Sequence, residues 1–285
     1  MKTRNFIPTI MIAAALTSLT FMTSCKKEDS MKDTEDVASI TTNADQFQEA
    51  EAANSDVDEI SDMAVELHSV EGARMANNSN PNTILSCATV TNDTVNQVIT
   101  VDFSTGCTGH HGHVRSGQII IHYSGGTYFT PGFQRIVTFN NYYVDGRHVE
   151  GTRTIINNGL NTSGNLNWSI SAQNMRVTRS NGTYHEWNSS RVREMIAGDT
   201  LLTHPDDDIY SITGSSSGSN SNGNSCTAVI TNPLIKRGDW RYIVSGTVVI
   251  TPSNRAQRTL DFGNGALDDL ATVTKNGITH TIHLN

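Results

Sequence analysis

The chain has 285 residues and a formal net charge of −8, and only 17% of its residues are charged. Its polarity comes mainly from uncharged side chains, with 35 threonines and 27 asparagines. This composition excludes a polytopic membrane protein and a coiled coil. Residues 81–285 carry fourteen basic and fourteen acidic residues, and a body without net charge argues against nucleic acid as a partner.

The N-terminus has the pattern of an export signal. Lys2 and Arg4 precede an apolar run, residues 7–19, that is too short to span a membrane comfortably and ends in small polar residues. We therefore predict a signal peptide over residues 1–24. A transmembrane anchor is disfavoured, because no other apolar run approaches 18 residues.

The end of this signal resembles the lipobox of bacterial lipoproteins, with Met22, Thr23, Ser24 and Cys25 in sequence. The following KKED resembles the charged segment of surface-exported lipoproteins of the Bacteroidota. The resemblance implies that Cys25 becomes an acylated first residue, with palmitate among its lipids, on the outer face of the outer membrane. Met22 stands where leucine is usual. Ordinary secretion with an incidental thiol at Cys25 is the alternative.

Residues 25–82 are predicted to form an acidic linker or stalk. Between residues 25 and 80 there are fourteen acids and four bases. An amphipathic helix is predicted over 55–70, with Ser55 as its N-cap and Asp58 at the capping-box position. We expect its apolar stripe to pack on the protein's own domain, and a partner-binding helix is the alternative. The stripe consists of Val57, Ile60, Ala64 and Leu67.

The remainder, residues 83–285, alternates apolar and polar side chains with a period of two and is punctuated by turn residues. We predict one all-β domain, an antiparallel meander or sandwich of many hairpins. The predicted strands are 87–91, 97–103, 117–123, 134–144, 148–157, 166–178, 183–195, 208–213, 226–231, 240–251, 256–262, 271–275 and 278–284. The predicted hairpin turns are Asn92-Asp93, Asp145-Gly146, Asn181-Gly182 and Asn276-Gly277.

Two further expectations concern the surfaces of this domain. One face of the sheet is predicted to be exposed to solvent, because several strands carry arginines at alternating positions. The segment 214–225, GSSSGSNSNGNS, is predicted to be a flexible loop. The arginines are Arg147, Arg153, Arg176, Arg191 and Arg193.

The body also resembles a group of Bacteroidota surface lipoproteins of unassigned function, over residues 84–285. The resemblance rests on CATVTN, VDFSTGCTG, RSGQIIIHYSG, NNYYVDGRHVEGTRTIIN, DDIYSITG and ATVTKNG. In that group we expect an aspartate after the CTG and two further cysteines, where this chain has His110, Asp239 and Leu267. The resemblance implies the fold and the cellular location, and it implies no activity.

The cysteines fit an oxidising compartment. Cys87 and Cys107 flank a predicted hairpin, so we expect them to form a disulfide, and Cys226 is then left unpaired. A bridge that closes a loop of this length stabilises a fold by about 3 kcal/mol in the chain-entropy model. No base or oxyanion donor is evident that would make Cys226 catalytic.

The clearest candidate for a ligand-binding motif is the segment GHHGH, which contains His110, His111 and His113. Imidazoles two or three residues apart on a glycine-rich loop can chelate a transition metal. No carboxylate adjoins them in sequence, so an exposed polar loop with adventitious metal affinity is the favoured interpretation.

Other candidate sites have weaker patterns. The acidic turn 204–208 lacks the ligand spacing of a calcium loop. The strand aromatics, which include Trp168, Trp187 and Trp240, are either a carbohydrate platform or core packing. Glycosidase chemistry requires two of the carboxylates Glu150, Glu186 and Glu194 to pair.

These observations predict a lipid-anchored protein of the outer membrane, on the cell surface, that acts as a binding or structural module and not as an enzyme. Its partners are the membrane, through the lipid on Cys25, and an extracellular glycan or protein; no nucleic acid and no cofactor are expected. The first alternative is a metal- or haem-capturing lipoprotein that uses the GHHGH loop. The second is a surface glycan-binding or glycosidase module.

Overall fold

Alternating β-branched, hydroxyl and apolar residues place most of the chain in strands. The structure, a computed structural model, describes residues 37–69, 84–109, 112–198 and 207–284, without the side chains of 37–40 and 68–69. Cys25, His110 and His111 therefore lie outside the described residues. The elements are α1 (Val37–Ser69), β1 (Thr89–Asp93), β2 (Val98–Asp102), β3 (Cys107–Thr108), β4 (Val114–Ser124), β5 (Gln134–Val144), β6 (Arg147–Leu160), β7 (Leu166–Thr178), β8 (Tyr184–Ala197), β9 (Ile209–Asn220), β10 (Ser225–Arg237), β11 (Ile243–Pro252), β12 (Arg258–Asn264), β13 (Leu270–Lys275) and β14 (Ile278–His283).

All the described strands belong to one antiparallel sheet, which confirms the predicted all-β meander. The strand order follows the chain from β1 to β14, except that the short β3 lies off this path and pairs with β4. Strands β5 and β7 have the bounds predicted from the sequence. The turns Asp145-Gly146 and Asn276-Gly277 are confirmed, and both residues of each have positive φ. Asn92 and Asp93 belong instead to β1, and the turn follows them. The Asp93 carboxylate caps this turn, because it accepts hydrogen bonds from the N–H groups of Val95 and Asn96.

The register can be followed across the whole sheet, although bulges interrupt several of the strand pairs. One row of directly opposed residues crosses thirteen strands, and none of its members is buried. This row therefore marks the outer face. Its members are Asp93, Val98, His122, Ile136, Thr154, Ser171, Ser190, Ser215, Val229, Val249, Thr259, Thr274 and Thr279.

The prediction of a flexible loop over 214–225 was wrong. Most of this segment lies in β9 and β10, and β9 is paired on both sides, so its backbone groups are satisfied without apolar side chains. Two glycines allow a close approach to β8. A Cβ atom on Gly218 would lie 2.4 Å from the carbonyl oxygen of Glu186, and one on Gly214 would lie 2.1 Å from that of Ser190.

The predicted helix at 55–70 is the C-terminal half of a helix that begins at Val37, so Ser55 is not an N-cap. The helix is also not a stalk beside the sheet. Eight of the nine residues from Val57 to Val65 are buried, and together they cover every face of the helix. The expectation that the helix packs on its own domain is therefore confirmed. No helix in the described part of the chain is long and apolar enough to span a membrane.

The sheet curves around this helix. The helix contacts β2 near one end of the strand order and β11 and β13 near the other. Ala50, Val57 and Ile60 share a core with the strands up to β8, whereas Ala44 and Phe47 share a core with β10 to β14. The inner face of the sheet is therefore the face that surrounds α1.

Candidate functional site

Arginines line the inner face of the sheet where it meets the helix. They alternate with outward residues on β4, β5, β6 and β8, and each is at most 6% exposed. The prediction of a solvent-exposed arginine face was therefore wrong for Arg153, Arg191 and Arg193, and it holds for Arg176, which points outward and pairs with Glu186. The buried arginines are Arg115, Arg135, Arg153, Arg191 and Arg193.

Acidic residues of the helix neutralise these arginines. Both oxygens of the Asp58 carboxylate accept hydrogen bonds from Arg153 Nη2, at 2.8 and 2.9 Å. Oδ2 of Asp62 accepts a hydrogen bond from Nη2 of Arg193 at 2.7 Å, and the same carboxylate forms an ion pair with Arg135. Burial alone would raise the pKa of Asp62, but the two guanidinium groups lower it below its ordinary value.

The remaining pairs extend this arrangement along the helix. Asp56 binds Arg115 and accepts a hydrogen bond from the hydroxyl of Tyr142 at 2.7 Å. Glu51 accepts one from Arg191 at 2.7 Å. We name this set of helix acids and sheet arginines the inner ion-pair ladder. Because these groups are paired with one another, they form structural contacts and leave little charge free for a ligand.

One stripe of the helix escapes this pairing. Ala52 is exposed, and Ser55 and Glu59 are partly buried. Arg241 and Tyr242, which follow β10, line a cavity together with these residues. Two adjoining cavities of about 80 Å³ each lie here, and both are lined by Ser55, Glu59 and Lys236. We name this space the helix cleft. Asp145 of the turn between β5 and β6 and Arg241, which follows β10, both line the second of these cavities, so these two parts of the sheet come close together over the cleft.

Glu59 is the unusual group of the helix cleft. The residue is partly buried, but its carboxyl group is desolvated, and burial together with Asp56 raises its pKa to about 7. Among the described residues no hydrogen-bond donor reaches this carboxyl group. Lys236 lies nearby, where burial lowers the pKa of its ammonium, and its Nζ donates to the carbonyl oxygens of Arg237 and Trp240. The cleft therefore holds a carboxyl group ready to accept a hydrogen bond.

Of the three predicted histidine ligands, the structure describes His113. Its Nδ1 lies 2.6 Å from Oδ2 of Asp145 in the turn between β5 and β6. The pKa of Asp145 is lowered, because the Val114 N–H and His113 outweigh burial. Because the carboxylate of Asp145 binds Nδ1 of His113, the other ring nitrogen, Nε2, faces away from the carboxylate. In the described ranges, which omit His110 and His111, no three histidine, cysteine or acidic side chains are grouped to hold a metal ion.

The predicted disulfide is confirmed. Cys87 and Cys107 are bonded, with their Cα atoms 5.8 Å apart, and the bridge joins the chain before β1 to β3. Cys226 is a free, partly buried thiol, and burial raises its pKa. A raised pKa disfavours the thiolate, so this residue does not have the character of a nucleophile.

The aromatic and glycosidase hypotheses find little support in the geometry. Trp168 and Trp187 are buried in the core and form no exposed platform. Glu150, Arg176 and Glu186 are neighbours in register, so a cation stands between the two carboxylates. A hydrogen bond from Arg176 lowers the pKa of Glu186, whereas a general acid needs a raised one.

Glu59 of the helix and Lys236, among the last residues of β10, were not predicted from the sequence. The only signal for Glu59 was its place between Val57 and Ile60 in an apolar stripe. Comparison of the chain with models of protein families, with curated proteins and with solved structures gave no match.

Proposed function

We propose that the chain is a lipid-anchored protein of the outer membrane, exposed on the cell surface, that works as a binding module and not as an enzyme. The observation that carries the location is the lipobox-like sequence that ends in Cys25. Eleven residues lie between Cys25 and Val37, where the helix starts, and such a segment spans at most about 40 Å. An acylated Cys25 would therefore hold the sheet close to the lipid surface.

The helix cleft is the best candidate for the binding role. It combines the Glu59 carboxyl group, which accepts no hydrogen bond from the described residues, with the Lys236 ammonium and two small cavities. Concave sites with convergent polar groups and shifted pKa values are typical of ligand sites. A ligand that fits here is a small molecule whose hydroxyl or amino group donates to Glu59.

Lipid labelling and protease treatment of intact cells test this proposal. With labelled palmitate, the full chain should carry label, and Cys25→Ala should lose both the label and membrane association. Cys226→Ala is the matched control and should keep both. Protease added outside intact cells should cleave the body.

Persistent membrane association of the Cys25→Ala variant would contradict the anchor, and protection from external protease would contradict surface exposure. In the membrane-extracted chain, native mass spectrometry should find a small-molecule adduct that Glu59→Gln loses. Unbound chain in both proteins would contradict the ligand role of the cleft.

Metal capture by the GHHGH loop is a second candidate, and the His113–Asp145 contact favours it. Histidine ligands of metals usually donate their other ring N–H to a carboxylate, which fixes the tautomer. Changing His110, His111 and His113 together to alanine should abolish stoichiometric zinc or nickel binding in equilibrium dialysis. Asp145→Asn should weaken metal affinity by about 10–100-fold. Unchanged binding in the triple variant would eliminate this candidate.

A further inference from the structure

In the described part of the chain, the last strand leaves one edge of the sheet open. Strand β14 ends the strand order and pairs only with β13 among the described strands. The N–H of Leu284 donates to the carbonyl oxygen of Asp269 on the β13 side, at 2.7 Å. Because backbone groups alternate in direction along an antiparallel strand, the N–H and C=O groups of Thr279 and Thr281 point to the open edge.

This edge lacks the features that usually prevent strands from pairing with another chain. Its pairing with β13 runs from Ile278 to His283 without a bulge. The strand contains no proline, lysine or acidic residue, and Ile278 is 62% exposed. Edges of this kind are templates for strand addition unless a partner covers them.

The sequence of the strand indicates which partner fits. Residues 278–282 read Ile-Thr-His-Thr-Ile, the same in both directions around His280. When two such strands pair antiparallel with His280 opposite its own copy, each Thr279 faces Thr281 of the second copy. Each Ile278 then faces Ile282 of the second copy. A two-fold axis through the His280 pair then relates the two strands, and each contact on one side of the axis is repeated on the other. This is the requirement for an isologous contact.

We propose that strand β14 is a docking edge for a second copy of this chain, with the two strands antiparallel and centred on His280. The direction of the backbone groups agrees with this register. His280 occupies a non-hydrogen-bonded position, and Thr279 and Thr281 exchange both of their N–H···O bonds with the second copy. The two sheets join into one, and the exposed Ile278 gains an apolar neighbour.

The register can be tested with single cysteines in the full chain, in a background that carries both Cys25→Ala and Cys226→Ala, with a mild oxidant. His280→Cys places two thiols directly opposite, with Cα atoms about 4.5 Å apart, within the range of a disulfide. Thr281→Cys is the matched control, because its two copies are offset by two residues along the strands and lie about 7–8 Å apart or more. We expect covalent dimer from His280→Cys and loss of it from Thr281→Cys.

A second pair of variants tests the contact without cross-linking. Thr281→Pro removes an N–H that faces the open edge, where proline is tolerated in a monomer, and Thr281→Val keeps that N–H. Sedimentation equilibrium should find dimers for the parent chain and for Thr281→Val, and monomers for Thr281→Pro. Equal cross-linking at both positions, or a parent chain that stays monomeric at all concentrations, would overturn the proposal. Because these measurements need no lipid on Cys25, they are independent of the proposed anchor.

Discussion

Replacing Arg153 by methionine is expected to lower the free energy of unfolding by about 3–5 kcal/mol. Arg153 is 2% exposed and donates to both oxygens of Asp58, so the variant leaves a buried carboxylate without its main partner. Nη1 of Arg193 lies 3.8 Å from Oδ2 of Asp58, so Arg193 neutralises this carboxylate only in part. Urea denaturation of the full chain at neutral pH measures the effect.

Arg176→Met is the matched control. This arginine also pairs with a carboxylate from a neighbouring strand, at 2.7 Å, but both partners are on the outer face. An exposed pair is worth less than about 1 kcal/mol, so the change should be small. The double variant Arg153→Met with Asp58→Leu should recover most of the lost stability, since no unpaired charge then remains buried. A loss below 1 kcal/mol for Arg153→Met would show that the inner ion-pair ladder is not desolvated.

Replacing Glu59 by glutamine is expected to stabilise the fold above neutral pH and to have little effect near pH 4. The pKa of Glu59 is raised in the folded state, so the folded protein binds the extra proton between pH 4.5 and about 7. Stability is therefore fully present below the unfolded pKa and is lost as pH rises through the folded pKa. The shift corresponds to about 3 kcal/mol at pH 8, an upper bound because Lys236 loses an attractive neighbour in the variant.

Thermal unfolding of both proteins between pH 4 and pH 8.5 measures this effect. The difference in Tm should grow through this window by roughly 2–4 °C per kcal/mol. Glu186→Gln serves as the control, because the pKa of Glu186 is lowered and its contribution changes in the opposite direction, at acidic pH. A constant difference between parent and Glu59→Gln would mean that Glu59 is ionised in the folded protein.

The strands were predictable because their signal is local. Polar and apolar residues alternate in β5 and β7, and residues such as Asp145 and Gly146 mark the ends by their positive φ. The hairpin order then follows from short connections alone. The disulfide followed from the same reasoning, since it needed only the position of one hairpin.

The role of the helix was not predictable in this way, because its burial depends on distant partners. Asp58 and Arg153 are 95 residues apart in sequence, and Glu51 and Arg191 are 140 apart. Taken separately, an acidic helix and an arginine-bearing strand each have the pattern of a solvated surface. Only the fold brings the two patterns together.

The position of the helix determines how the domain responds to tension. The N-terminal end of α1 leads into a helix that packs against the inner face of the sheet, and not into an edge strand, so we expect a pull on this end to load the helix first. The inner ion-pair ladder and the apolar contacts of the helix then resist in shear, all at once, whereas an edge strand would detach one hydrogen bond at a time. We therefore expect the domain to resist such a force through its buried helix and not through an edge strand.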